Sequence, residues 1–280
     1  MVRSFDAPIL RYFFLWMIGL ISLYIITVKL MNGGSMPLNP VAGDLLTQVI
    51  AFLPFFYFLF KSMNRSMPLR YYVRPHIASA GWIEIVLVAL VWILFSIGVD
   101  GLFGYGLSWL APNYVVDSVS LKLFDSGTAT PVVMLTVLLA GIVAPVMEEL
   151  VFRGLIFQRL IVKIGVVRAV VISSLLFGLL HLEGWLGASI FATLMCILYL
   201  QTKNILVPIA LHVLNNLFSL FLEYIFRAQE AITDIRLIRE ELAWSMLCLL
   251  TVPWVIKSIR KYWPKGVVNL PYYHNQSNLT

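Results

Sequence analysis

Charge is the scarcest commodity in this sequence. Only 12% of its 280 residues are Asp, Glu, Lys or Arg, against 60% hydrophobic residues, and the mean hydropathy is +0.90. Soluble globular proteins carry about 25% charged residues, so too little polar surface is available to cover a water-soluble globule, and the chain belongs in a bilayer. Cysteine is nearly absent. Cys196 and Cys248 both fall in apolar runs, which excludes a disulfide framework or a CxxC metal site and leaves them as small packing residues. There is no internal repeat and no low-complexity segment. The alternating ~10-residue pattern of an outer-membrane barrel is also missing, so the spans are expected to be helical.

What is present is a series of uninterrupted apolar runs. Eight candidate spans of about 20 residues are read at 10–31, 41–61, 82–106, 131–153, 167–183, 185–202, 205–226 and 242–259. The first is too long for a signal-peptide core and lacks an A-x-A-like cleavage site, so it reads as a retained helix. The expectation is an all-α polytopic membrane protein of about eight transmembrane helices, with residues 1–280 forming a single domain.

The net charge of +6 does not indicate nucleic acid, because the basic residues cluster at helix ends. Arg3 and Arg11, then Lys61, Arg65, Arg70 and Arg74, then Arg159, Lys163 and Arg168, then Lys257, Arg260, Lys261 and Lys265 all fall on one side if both termini are cytoplasmic. The 227–241 segment would then be outside. Its mixed charges suit a short amphipathic helix lying at the interface. Two N-x-S/T sequons at Asn275 and Asn278 fall on the cytoplasmic side of this scheme and read as chance.

Against this apolar background, three spans carry polar groups. "APVMEELVFRGLIFQRL" (144–160) brings Glu148 and Glu149 together, with Arg153 one turn later. Glu149 and Arg153 are i,i+4 and can pair on one face, while Glu148 points about 100° away. "FGLLH" places Phe177 one turn before His181, and "HVLNN" places His212 and Asn216 on one face. Ionisable groups inside a membrane face the bundle interior and mark function by default. Pro145 lacks an N–H, and a kink there would make room for water beside the glutamates. A hairpin turning at Gly165 would set Glu149 and His181, each 16 residues from the turn (165 − 149 and 181 − 165), at the same height. His212 lies about seven residues into its span, roughly 10 Å from the cytoplasmic end.

"EELVFR", "FGLLH" and "HVLNN" resemble the EExxxR, FxxxH and HxxxN motifs of the CPBP (Abi) family, in order and each in its own apolar span. That family contains the type II CAAX prenyl endopeptidases and bacteriocin-processing relatives. The resemblance covers about residues 131–226. It implies an intramembrane endopeptidase acting on a membrane-associated protein or peptide. In that reading Glu148 and His181 activate water, His212 and Asn216 stabilise the oxyanion, and Glu149 with Arg153 orders the site. Carboxylates held away from bulk water make competent bases, and amide or imidazole donors suit a developing oxyanion. The cofactor question stays open at this point. Glu148, His181 and His212 have the composition of a catalytic zinc site, and the same residues can act without metal.

The bland readings are an exposed ion pair at a helix end for Glu148–Glu149, an interface histidine for His181, interhelical hydrogen bonding for His212 and Asn216, and ordinary packing for Phe177. Glu183 and Glu223 read as helix-end residues. Asp100 has no visible partner, and His76 and His274 are assigned nothing. No HExxH, GxSG or GxGD is present, which disfavours other intramembrane protease types. A proton-coupled transporter would favour repeats and paired half-helices, which are missing. The principal alternative is a non-proteolytic membrane scaffold or bacteriocin-immunity protein of the same fold. Lipid and a membrane-associated substrate are the expected partners, in a bacterial plasma membrane.

Overall fold

The computed structural model describes residues 69–73, 81–120, 123–124, 126–181, 184–229, 232–265 and 269–279, with isolated positions 15, 19 and 22. The candidate spans at 10–31 and 41–61 lie outside these residues apart from those three positions, as do Lys61, Arg65, Arg74, His76, Glu183 and Glu230.

All regular structure among the described residues is helical. In chain order the helices are α1 (Trp82–Leu110) and α2 (Pro112–Ser120), α3 (Thr130–Ile164), α4 (Val166–Leu179), α5 (Trp185–Thr202), α6 (Leu206–Phe226), α7 (Ile235–Tyr262) and α8 (Pro271–Leu279). Helices α1, α3, α5, α6 and α7 are long and apolar enough to cross a bilayer. The chain is an all-α, polytopic integral membrane protein.

Helix α5 is the hub. It touches α1, α3, α4, α6 and α7. Its Leu194–Leu200 run is buried at every position, the behaviour of a helix that is apolar all round. Close approach on one side comes from small residues. A Cβ on Gly178 of α4 would fall 2.0 Å from Ser189 Oγ and 2.3 Å from the Trp185 carbonyl, so α4 and α5 pack nearly backbone to backbone, as membrane helices do where small residues meet. On the other side Asp100 of α1 accepts the Gly187 N–H at 2.9 Å. That carboxylate therefore has a partner after all, an orphan donor in the first turn of α5. A sequence search among side chains had no means of finding it.

Three spans differ from their expected limits. Helix α3 does not stop at 153; it runs 35 residues to Ile164, so its glutamates lie near its middle and not at a helix end. Helix α4 has 14 residues, a rise of about 21 Å, short of the ~30 Å hydrocarbon core. The expected interfacial helix at 227–241 is continuous with the last span, through a tighter 3-10 stretch at Met246–Thr251. Arg239, expected at an interface, binds Ser108 Oγ at 3.0 Å and the Ser108 carbonyl at 2.8 Å. It lies over the Trp109 ring at 3.7 Å, so a cation closes the carbonyl end of α1. At the opposite end, Lys261 and Tyr262 both bond Glu84 and fasten α7 to the start of α1.

The tail is a docked helix. Asn275 is buried, and its amide donates to the Tyr71 and Lys203 carbonyls at 3.0 and 2.7 Å. The sequon asparagine is thus a structural residue. Tyr272 sits edge-on to Tyr71 and Tyr72, its N–H donating to Gln158 Oε1, and Lys203 reaches His274 Nδ1 at 3.3 Å.

The hairpin between α3 and α4 turns at Gly165, as its sequence position predicts. Its φ of 81° and ψ of 166° lie in a region open essentially to glycine alone. Gly165→Ala is expected to cost about 1–3 kcal/mol, read as a lower midpoint of thermal unfolding in detergent; an unchanged midpoint would show that the turn tolerates a Cβ.

Candidate active site

The site begins with α3. Over Val137–Val143 and again over Leu150–Phe157 the helix widens to π geometry, a rare arrangement found mostly at functional positions. The two π stretches flank the short α-helical turn Ala144–Glu149, which contains Pro145 and both glutamates. The kink expected at Pro145 takes this form, a local change of helix type.

Glu149 and Arg153 are both fully buried and pair at 2.9 Å. The same carboxylate oxygen, Oε1, accepts from His212 Nδ1 at 2.9 Å. Arg153 also donates to the Ala192 carbonyl of α5 at 3.2 Å, and its guanidinium lies over the Phe177 ring, 4.6 Å from the centroid. One arginine therefore binds α3 to α5 and to α4. Glu149 Oε2 and Arg153 Nε make no hydrogen bond.

Glu148 projects differently, as its position one residue along the helix requires. It is half-buried, and its Oε2 stands 3.9 Å from Nε2 of His181 and 3.9 Å from Nε2 of His212. Each imidazole is held from behind. His181 Nδ1 donates to the Phe177 carbonyl at 2.9 Å, and His212 Nδ1 donates to Glu149. In the neutral ring both hydrogens are then on Nδ1, so both histidines turn the bare Nε2 toward Glu148.

Phe177 is more than ordinary packing. Its ring lies 4.5 Å from that of His181 at an interplanar angle of 30°, and 5.7 Å from that of His212. It lies against the His181 ring, meets His212 edge-on and carries the Arg153 guanidinium. The i,i+4 spacing shows the His181 contact in advance. The arginine and His212 contacts cross between helices and leave no trace in local sequence.

Five of the six candidate residues, Glu148, Glu149, Arg153, His181 and His212, thus meet at one place. Asn216 lies one turn beyond His212 on α6. Its Nδ2 donates to the Ala140 carbonyl of α3 at 2.9 Å, leaving one of its two N–H hydrogens for other work. Glu223 accepts the Leu123 N–H, away from the site.

The donor chemistry of Glu148, His181 and His212 suits a metal, and each histidine has the N–H acceptor behind it that metal-bound imidazoles use. The spacing does not. On zinc bonds of about 2.0–2.2 Å, tetrahedral neighbours stand roughly 3.4 Å apart, against 3.9 Å here. Among the described residues no group of three such side chains is gathered closely enough to hold a metal ion.

Comparison with known proteins agrees with the motifs. Residues 130–218 match the family described as type II CAAX prenyl endopeptidase Rce1-like. Over 137 residues the chain is 31% identical to "Putative membrane peptidase YdiL" of Bacillus subtilis (strain 168), covering 46% of this chain and 52% of that protein. The chain therefore matches about half the length of that relative. No solved structure matches. The segment bearing the site, about a third of the chain, is therefore similar to the type II CAAX prenyl endopeptidase Rce1-like family.

Arg153→Ala would strand Glu149 without its cation, and breaking a buried pair costs about 3–5 kcal/mol. The expected result is a large loss of folded protein in detergent. Arg153→Lys should recover only part, because a point charge cannot bond Glu149, bond Ala192 and stack on Phe177 together. A stable Arg153→Ala protein would show that the network is dispensable for folding.

Proposed function

We propose that the protein is an intramembrane endopeptidase, hydrolysing a peptide bond of a membrane-associated protein or peptide without a metal. The observation that carries this reading is the carboxylate of Glu148 set 3.9 Å from two imidazole nitrogens. Those gaps are too long for direct hydrogen bonds and suit a bridging water.

The chemistry follows from the donors and acceptors. Water gives one hydrogen bond to Glu148 and one to His181 Nε2, both acceptors. Glu148 takes the proton as the water oxygen attacks the scissile carbonyl carbon. In this step His212 takes part as the imidazolium, carrying a second proton taken from solvent before the attack and kept throughout, so the oxyanion is met by its Nε2–H and by the remaining Asn216 N–H. The Glu149 carboxylate behind His212 stabilises the imidazolium, as a buried carboxylate does in a serine-protease triad. Collapse of the intermediate breaks the C–N bond, and Glu148 returns its proton to the leaving amine. One water is consumed, and the groups end as they began.

Glu148→Gln keeps the shape and removes the base. Cleavage of a membrane-tethered peptide is expected to fall by about 10²–10⁴-fold, with thermal unfolding unchanged. Dialysis against a chelator should leave wild-type cleavage intact. Activity lost on chelation and restored by zinc would move the mechanism to the metal type, wild-type cleavage by Glu148→Gln would remove Glu148 as the base, and no cleavage by the wild-type protein would favour the scaffold or immunity reading.

The same proposal sets both termini and the 154–168 segment in the cytoplasm of a bacterial plasma membrane, on the strength of the basic clusters. A cysteine introduced at position 163, an exposed site near the end of α3, should react with an impermeant thiol reagent only in inverted vesicles or opened cells. Labelling in intact cells would reverse the orientation.

A further inference from the structure

Pro145 does more than end one helical register. In π geometry the Ala140 carbonyl would accept from the N–H of residue 145, five positions on; that residue is proline and has none. In α geometry it would accept from Ala144, but the Ala144 N–H is bonded to the Leu139 carbonyl. The chain thus withholds both of its own donors from Ala140. The partner that arrives is Asn216 Nδ2, at 2.9 Å from a different helix. The amide's orientation is fixed from its other side as well, since Asn215 Nδ2 approaches Asn216 Oδ1 at 3.4 Å. The approach of α6 is close enough for this because of Gly141, where a Cβ would fall 2.7 Å from Leu217 Cδ2 and 3.3 Å from Leu220 Cδ1.

We infer that Pro145 is a positioning residue that acts through Asn216. By leaving the Ala140 carbonyl open, Pro145 reserves it for the Asn216 amide. That bond aims the second Asn216 N–H and ties the π stretch leading into the Glu148 turn to the helix bearing His212. The catalytic part of this inference rests on the peptidase reading. The Pro145–Asn216 coupling itself does not.

The two parts are separated by a double-mutant cycle on the full-length protein, read both as thermal unfolding in detergent and as cleavage of the tethered peptide. In the wild-type background, Asn216→Ala orphans the Ala140 carbonyl and should lower the midpoint by roughly 2–4 °C. In the Pro145→Ala background the new N–H at 145 can serve that carbonyl, so Asn216→Ala should then shift the midpoint little or not at all. Equal shifts in the two backgrounds would overturn the coupling, whatever the protein's activity.

For catalysis, Pro145→Ala alone should keep or raise the midpoint, since alanine favours a helix. It should nevertheless lower kcat by roughly 10–100-fold, the scale of a misplaced group, with KM little changed. Adding Pro145→Ala to Asn216→Ala should then cost no further activity. A Pro145→Ala enzyme with wild-type kcat would overturn the positioning role even if the stability coupling holds. Coupled stability without detectable cleavage by the wild type would instead count against the peptidase reading alone.

Discussion

A single arginine, buried in a protein that otherwise avoids charge, sets the terms for the rest of the structure. The Arg153 guanidinium reaches Glu149 on its own helix, a carbonyl on α5 and the face of Phe177 on α4. None of these partners would suffice alone to hold a cation away from water, and together they define where three helices must stand. Glu149 in turn passes the constraint to α6 through His212. The network therefore works as a geometric standard. Once it is formed, Glu148 has little choice about what it faces.

Two adjacent glutamates consequently have opposite characters. Glu149 is committed, sealed and shared between two cations or donors. Glu148 is half-exposed and bonded to neither histidine directly. Their separation by one residue on a helix places them about 100° apart, enough to put one in the packing and the other facing two imidazoles.

Much of this was readable beforehand because it depends on short spacings. The Glu149–Arg153 pair, the proximity of Phe177 to His181 and the turn at Gly165 all follow from positions within one helix or one hairpin. The all-α membrane class follows from composition. What was not readable depends on backbone groups or on contacts across helices. The cap that Asp100 provides for α5 uses an N–H, which sequence does not display. The docking of Asn275 needs carbonyls from positions 71 and 203, far apart in the chain. The length of α3 was underestimated because the Arg153–Lys163 stretch looks like a polar boundary, whereas Arg153 and Gln158 are buried and satisfied within the bundle. The residue types of Glu148, His181 and His212 alone fit either a metal or a metal-free chemistry.

The shortness of α4 has a bearing on the lipid itself. A segment rising about 21 Å cannot match a hydrocarbon layer of ~30 Å. The non-helical backbone at His181 that follows it cannot rest in bare acyl chain without losing its hydrogen bonds. Backbone of that kind at membrane depth is tolerated against protein or a water-filled cavity. His181 is exposed at the end of α4, so the shortness of that helix bears on where water can meet the bundle and on how the site is hydrated.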